Sequence, residues 1–288
     1  MGAAGKLKAA LPAGLRKRLG DARRRLRARE SRTRAHWGAL LEDPSLSDGE
    51  RELLRATDSA IFFNDGMYTG DGAHYFRTGL GAVRLVEEAL GAAGLSEVRR
   101  VLDLPCGGGR VLRFLARRFP GAEFTACDLQ REAVDFCARR FGAEADYSQP
   151  RLDELTFPRE FDLAWCGSLV THLDAGGIEA LLGLFRRSLA PGGLAVFTAH
   201  GERAVRRMTA REFDYGIRDA DIAPLVAAYR GAGYGFADYP GDSGYGVSLT
   251  SPEWVRGAAA RAGGLREVYF KPQGWDEHQD VYGFVRAD

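Results

Sequence analysis

Residues 101–110 read Val-Leu-Asp-Leu-Pro-Cys-Gly-Gly-Gly-Arg, an apolar run that ends in three consecutive glycines. The apolar residues at its start predict a short buried strand. The glycines predict a turn in which no side chain separates a ligand from the backbone. Apolar residues then recur at helical spacing over residues 111–119, so we expect the turn to lead into a helix. A strand, a glycine turn and a helix in this order predict a ligand site.

The spacing of the glycines distinguishes two classes of cofactor site. A dinucleotide-binding loop requires the pattern Gly-x-Gly-x-x-Gly. When Gly107 is taken as the second of these glycines, Pro105 stands at the first position and Arg110 at the third. Two of the three required glycines are missing, so the sequence argues against a pyrophosphate-binding loop.

The same stretch resembles motif I of the class I S-adenosylmethionine-dependent methyltransferases, usually an apolar strand ending in Asp-x-Gly-x-Gly-x-Gly. Asp103, Gly107 and Gly109 are in register with that motif, whereas Pro105 replaces its first glycine. The resemblance implies that S-adenosylmethionine is the cofactor. It also implies that Asp103 lies under the methionine ammonium and that the backbone from Cys106 to Gly109 lies against the ribose and carboxylate.

A second cofactor contact is expected at the end of the next predicted strand, residues 124–128. Asp128 follows Gly109 by nineteen residues, close to the roughly twenty residues at which an acidic side chain meets ribose hydroxyls in this architecture. We therefore predict that Asp128 binds the ribose, with Leu129 beside it in the cofactor site. The alternative is that Asp128 only caps a helix over residues 130–141, because Asp is a favoured capping residue.

The rest of the chain predicts alternating strands and helices. Further strands are predicted over residues 144–147, 161–166, 194–198, 265–270 and 281–285, with a helix over 178–189, a turn over 190–193 and a helix beginning after Ser251. The short connection 271–280 favours an antiparallel pair for the last two strands. The predicted fold is α/β, a Rossmann-like seven-stranded, mostly parallel sheet with an antiparallel last strand.

Composition divides the chain into three expected parts. Residues 1–47 are predicted to be a basic extension that is helical or flexible, residues 48–94 a helical cap, and residues 95–288 the methyltransferase domain. Within that domain, residues 201–246 are rich in aromatic side chains and glycine and interrupt the α/β pattern. They predict an insertion after the fifth strand that covers a pocket as a lid.

Two histidines are candidates for a general base. The resemblance implies an in-line methyl transfer, and an alcohol acceptor would need a base near neutral pH, for which His is well suited. His172 follows the fourth predicted strand and His200 ends the fifth, both at the sheet edge where ligands bind. Gly167 and Ser168 begin the segment that faces the cofactor methyl in this fold. A purely structural role for His172 is the alternative.

Further contacts are predicted from aromatic residues and one more histidine. Tyr68 is a candidate for the cofactor carboxylate, and Tyr75, Tyr215 and His278 are candidates for acceptor contacts. Packing against the sheet would also explain Tyr68 and Tyr75, and a turn would also explain His278. Residues 60–286 are similar to bacterial stand-alone methyltransferases of natural-product and glycan chemistry. The predicted acceptor is therefore a hydroxyl, or an amine, of a small molecule.

Charge is unevenly distributed. Residues 1–36 contain twelve Lys or Arg against two acidic residues, so residues 37–288 carry a formal charge of −9. The basic arm suggests an RNA methyltransferase as one alternative function, and a non-catalytic S-adenosylmethionine-binding partner protein is another. An acidic body makes nucleic acid the less favoured partner.

Composition also favours a cytoplasmic enzyme. The sequence contains neither an apolar run near the roughly eighteen residues of a membrane span nor a signal-peptide core. Its four cysteines have no paired spacing typical of a metal site, so reduced thiols and no metal are expected.

Overall fold

The computed structural model describes residue 33 and residues 35–68 and 72–287. Most of the predicted basic extension lies outside these residues. The nine strands are β1 (Arg100–Asp103), β2 (Glu123–Asp128), β3 (Glu144–Tyr147), β4 (Phe161–Cys166), β5 (Leu189–Ala199), β6 (Tyr234–Asp238), β7 (Gly246–Thr250), β8 (Leu265–Trp275) and β9 (Gln279–Arg286). The named helices are α1 (Asp48–Ala56), α2 (Gly72–Ala93), α3 (Leu112–Arg118), α4 (Arg131–Phe141), α5 (Ala175–Ser188), α6 (Glu202–Thr209), α7 (Asp219–Ala232) and α8 (Pro252–Ala262).

Seven strands form one sheet in the order β3-β2-β1-β4-β5-β9-β8. Strands β1 to β5 are parallel, and β9 is antiparallel to both β5 and β8. This arrangement confirms the predicted fold class. The central strands read as nearly continuous apolar runs because helices cover both faces of the sheet.

The helices are divided between the two faces. Helices α1 to α4 contribute to one apolar core, and α5 and α8 contribute to the other. Helix α8 begins as predicted, since the Ser251 side chain accepts a hydrogen bond from the Trp254 amide and Pro252 takes the first helical position. The helices on the two faces therefore hold the parallel strands in place, with their carboxyl ends at one edge of the sheet. Ligand sites form at this edge in open α/β sheets.

Two predicted connections differ from the structure. Residues 190–193 were expected to be a turn, but β5 already begins at Leu189, with an irregular register against β4 and a positive φ of 77° at Gly192. The connection 271–280 is shorter than expected because β8 continues to Trp275. Asp276 and Glu277 then turn the chain with φ values of 56° and 50°.

Residues 201–246 contain α6, α7, β6 and the loop that leads to β7. Strands β6 and β7 form a separate two-stranded sheet. The segment has its own small core, in which Met208 and Leu225 pack with Val247 of β7. It is therefore a folded unit beside the main sheet, and its final loop reaches back toward β4 through an isolated bridge between Leu173 and Tyr245.

All four cysteines are free and buried. Among the described residues, no helix is both long enough and apolar enough to cross a membrane.

Candidate functional site

A cavity of about 670 Å³ lies at the carboxyl ends of β1, β2 and β4. Its walls come from the glycine loop, the loops after β2, β3 and β4, residues 65–67 of the cap and residues 243–245 of the insertion. Nine predicted site residues line it: Asp103, Pro105, Cys106, Gly107, Asp128, Leu129, Gly167, Ser168 and His172. The structure thus brings most of the predicted cofactor contacts and one predicted base into a single space.

The glycine loop forms although proline replaces the first glycine of the motif. The Leu104–Pro105 peptide bond is cis, and the loop is closed by the Cys106 amide, which donates to the Cys127 carbonyl at 3.0 Å. Gly107 has a φ of 48°, a conformation that favours glycine, and a Cβ there would meet no atom within 4 Å. The loop therefore offers bare backbone to the cavity at Gly107.

Asp103 carries an unpaired carboxyl group. Its side chain is only 1% exposed, and neither carboxylate oxygen has a hydrogen-bond partner in the described part of the chain. Burial, and after it the charge of Asp128, raise the pKa of Asp103 well above its usual value. A buried carboxyl without a partner is costly unless a ligand supplies one. The arrangement suits a cationic ligand group, such as the methionine ammonium of S-adenosylmethionine.

Asp128 links the end of β2 to two neighbouring amides. Its Oδ2 accepts a hydrogen bond from the Gly107 amide at 2.8 Å, and its Oδ1 accepts one from the Gln130 amide at 2.9 Å. The residue at the N-cap of α4 is Gln130, whose side chain makes no cap bond. Asp128 therefore does not take the N-cap position, although it supports the first turn, and its carboxylate stands in the cavity beside the glycine loop.

His172 lies in a 3-10 turn after β4, over residues Val170–His172. Its Nδ1 is 3.1 Å from the Gly246 carbonyl oxygen and 2.9 Å from the Tyr239 hydroxyl. Because a carbonyl can only accept, the proton of the neutral ring is best placed on Nδ1, which leaves Nε2 as the basic atom. Among the described residues Nε2 has no hydrogen-bond partner, and burial lowers the pKa of His172.

Ser168 is held by residues that the sequence did not single out. It has a positive φ of 62°, a strained conformation for a non-glycine residue. The Ser168 amide donates to Thr198 Oγ1 at 2.8 Å, and Gln279 Nε2 donates to Ser168 Oγ at 2.7 Å. Thr198 and Gln279 are themselves joined by a 2.5 Å hydrogen bond. In the sequence, only the position of Thr198 near the carboxyl end of β5 indicated that it could contribute to the site.

Six predicted site residues do not line the cavity, and three of them, Tyr75, Tyr68 and Gly109, are near the glycine loop or the cap. Tyr75 is fully buried and donates its hydroxyl to Asp65 Oδ2 at 2.6 Å, so that this hydroxyl is committed within the protein. The Tyr68 hydroxyl contacts Thr33 and His36 instead. Gly109 is turned against α4, where a Cβ would lie 2.4 Å from the Phe141 ring.

The remaining predicted residues form a second cluster behind the site. The His200 ring lies 4.7 Å from Tyr215 and 5.1 Å from His278, centroid to centroid. Burial lowers the pKa of His200 well below its usual value and that of His278 to about 4. None of these three side chains lines the cavity. Of the two histidines predicted as general bases, only His172 is therefore placed at the cavity.

Arg113 is a buried cation next to the glycine loop that the sequence analysis did not identify. Arg113 is 1% exposed and donates to backbone carbonyls on two sides. Its bonds reach the carbonyls of Gly108, Gly109, Asp58 and Ala60, and the hydroxyl of Tyr75. The side chain therefore joins the cap to the underside of the glycine loop. Across the described ranges, no group of three or more His, Cys, Asp or Glu side chains could hold a metal ion.

Part of the chain is similar to known proteins. Residues 101–193 match the family described as "Methyltransferase domain". A fatty-acid O-methyltransferase of Mycolicibacterium smegmatis is 30% identical over 45% of this chain and 46% of its own length. A trans-aconitate 2-methyltransferase of Mycobacterium tuberculosis is 47% identical over 18% of this chain and 20% of its own length. The matches thus span less than half the length of either relative.

Solved structures agree on the fold. An S-adenosylmethionine-dependent methyltransferase from Clostridium acetobutylicum is 15% identical, covers 72% of this chain and 92% of its own, and superposes with a TM-score of 0.52. Asp103 and the glycine loop lie near the start of the matched segment. Residues 101–193 therefore match a methyltransferase domain, and the chain has the fold of the class I S-adenosylmethionine-dependent methyltransferases.

Proposed function

We propose that the chain transfers the methyl group of S-adenosylmethionine to a hydroxyl, or an amine, of a small molecule in natural-product or glycan biosynthesis. The observation that carries the proposal is the convergence in one cavity of the glycine loop, the unpaired Asp103 carboxyl and His172. The relatives support small-molecule methylation, because their names specify a fatty acid and trans-aconitate as the compounds methylated.

The residues present fit the cofactor. S-adenosylmethionine supplies a methyl group on a positively charged sulfur when it is bound. Asp103 would accept hydrogen bonds from the ammonium and so gain the partner that it lacks. Each carboxylate oxygen of Asp128 makes one protein hydrogen bond and retains a lone pair for a ribose hydroxyl. Gly107 lets the ligand approach the backbone closely.

His172 would remove the acceptor proton. Its Nε2 would take the proton of the acceptor hydroxyl, while the Nδ1 proton remains hydrogen bonded to Gly246. Burial lowers the pKa of the imidazole, so the neutral form predominates at pH 7. Holding the acceptor hydroxyl between this base and the methyl group supplies the alignment on which such a displacement depends.

Calorimetry with S-adenosylmethionine and with NAD tests the cofactor assignment. S-adenosylmethionine should bind the wild-type protein, and the D103N variant should bind it more weakly. Binding of NAD in the absence of S-adenosylmethionine binding would overturn the proposal.

The base is tested by the H172Q variant, with H278Q as the matched control because His278 lies outside the cavity. Transfer of labelled methyl groups to a panel of small-molecule alcohols should fall in H172Q and persist in H278Q. Unchanged transfer by H172Q with intact cofactor affinity would remove His172 from the mechanism.

A further inference from the structure

Arg110 has an exceptional position in the cavity. It directly follows the glycine loop, and among the described residues lining the cavity it alone is a Lys or Arg. Its guanidinium carbon lies 5.1 Å from the ring centroid of Trp275 and 6.0 Å from that of Tyr75. The charge is thus held between two aromatic side chains at the wall of the cavity.

The Arg110 guanidinium makes neither a hydrogen bond nor an ion pair with any described residue. Acidic side chains are near, but no hydrogen bond or ion pair joins them to the guanidinium. Asp65 and Asp276 have partners of their own, whereas Asp103 has none among the described residues. Asp65 Oδ2 accepts from the Tyr75 hydroxyl at 2.6 Å, its Oδ1 accepts from the Met67 amide at 2.9 Å, and Asp276 pairs with His74 at 2.8 Å. Burial lowers the pKa of Arg110, yet a guanidinium stays charged in proteins.

An unpaired, partly buried guanidinium favours a planar anion. A carboxylate can accept two parallel N–H hydrogen bonds from the guanidinium fork, and such bidentate pairs are stronger than neutral hydrogen bonds. Arg113 three residues later provides the contrast, because its donors are engaged by carbonyls and a hydroxyl of the protein itself. The guanidinium N–H groups of Arg110 are therefore available to hydrogen bond a ligand.

We propose that Arg110 binds a carboxylate of the methyl acceptor, so that the acceptor is a small molecule carrying a carboxylate. This inference rests on the proposed function and names the substrate class of that same site. The acceptor would then be held at two positions, by its carboxylate at Arg110 and by the group to be methylated near His172. The Trp275 ring would lie beside the carboxylate.

A carboxylate at Arg110 has two sources, the acceptor and the methionine end of the cofactor, and both lie away from the cofactor's ribose and adenine. Trp275, which lies under the guanidinium, packs against Trp165 of β4 at 5.4 Å and lies close to Gly167. Asp128 and residues 148–150, where ribose and adenine are expected, belong to the β2–β3 side of the sheet. Since β1 lies between β2 and β4, Arg110 faces the half of the cavity that the cofactor's ribose and adenine would leave open. Protein saturated with S-adenosylhomocysteine already contains the cofactor's carboxylate, so a preference for acids in that complex reports the carboxylate of the acceptor.

Calorimetry on protein saturated with S-adenosylhomocysteine tests the proposal. The probes are 4-hydroxybenzoate and 3-hydroxybutyrate, each compared with its own amide. The wild-type protein should bind the acids about tenfold more tightly than the amides, the size of effect that a charge-assisted hydrogen-bond pair produces. R110Q should lose this preference and R110K should retain part of it, while both keep their affinity for S-adenosylhomocysteine within about twofold.

R256Q is the matched control, because the Arg256 guanidinium also lies over an aromatic ring, Phe270, but pairs with Glu267 away from the cavity. It should retain the wild-type preference. Equal binding of acids and amides by the wild type, or binding of neither, would overturn the proposal. So would an R110Q variant that loses S-adenosylhomocysteine affinity and keeps the preference for acids. Failure of the wild type to bind S-adenosylhomocysteine would instead contradict the proposed function.

Discussion

The Gly107 amide donates a 2.8 Å hydrogen bond to Oδ2 of Asp128, so the loop after β1 is tied directly to the end of β2. The other carboxylate oxygen accepts from the Gln130 amide at the start of α4. One side chain therefore fixes the glycine loop and would also meet the cofactor. Loss of its charge should affect both the conformation of the loop and the binding of ligand.

We expect D128N to weaken S-adenosylmethionine binding by about tenfold to a hundredfold, since a hydrogen bond to a charged group contributes roughly 1.5–3 kcal/mol. Calorimetry measures the effect. D162N is the control, because Asp162 also accepts two backbone amides, from Arg99 and Arg100, but outside the cavity lining. Equal affinity in D128N and D162N would contradict a ribose role for Asp128.

Replacing Asp103 with Asn should stabilise the ligand-free protein at neutral pH. The raised pKa of Asp103 means that the folded state resists ionisation, whereas the unfolded chain ionises near its usual pKa of about 3.9. This difference costs stability as the pH rises above that value, and D103N removes it. The unfolding temperature of D103N should therefore exceed that of the wild type at pH 7 by several degrees, and the gap should narrow toward pH 4.

Thermal unfolding followed across this pH range checks the Asp103 prediction. The same variant should bind S-adenosylmethionine more weakly, since Asn carries no charge for the ammonium. A difference in unfolding temperature that does not change with pH would show that Asp103 is not the titrating group.

His172 should titrate below 6.5, because burial lowers its pKa. The folded state disfavours the protonated ring, so this residue reduces stability as the pH falls below 6.5. Nitrogen-15 NMR of the histidine side chains should show the neutral ring protonated at Nδ1, bonded to Gly246. Y239F should preserve this tautomer, since the carbonyl remains, whereas a wild-type ring protonated at Nε2 would contradict the proposed base.

Replacement of Arg113 with Met should destabilise the fold by about 3–5 kcal/mol, because several buried carbonyls would lose their donor. Chemical denaturation measures this change. R117M, on the exposed side of the same helix, should change stability by less than about 0.5 kcal/mol. Similar values for the two variants would show that the Arg113 contacts contribute little.

The sequence predicted those parts of the site that depend on local pattern. The glycine loop, Asp103 and Asp128 lie at the ends of consecutive parallel strands, whose order follows from the α/β alternation. His200 was assigned to the same edge, but it follows the end of β5, where the side chain turns into a separate cluster with Tyr215. Strand position predicts the edge of the sheet on which a residue lies, not the direction of its side chain.

Contacts made across the insertion could not be predicted in this way. Tyr239 is separated from His172 by 67 residues, and their contact depends on how the small second sheet packs on the loop after β4. Arg110 and Arg113 are alike in sequence and lie on the same segment. Only the tertiary structure assigns one to the cavity and the other to the carbonyls of the cap.

Arg113 also opposes any separation of the cap from the glycine loop. Since it is bonded both to the cap carbonyls and to those of the glycine loop, separating these two segments would expose a buried charge and leave its acceptors unpaired. We therefore expect cofactor and product to exchange without breaking this contact. Met67 of the cap and Tyr245 of the insertion also line the cavity and are 57% and 47% exposed to solvent.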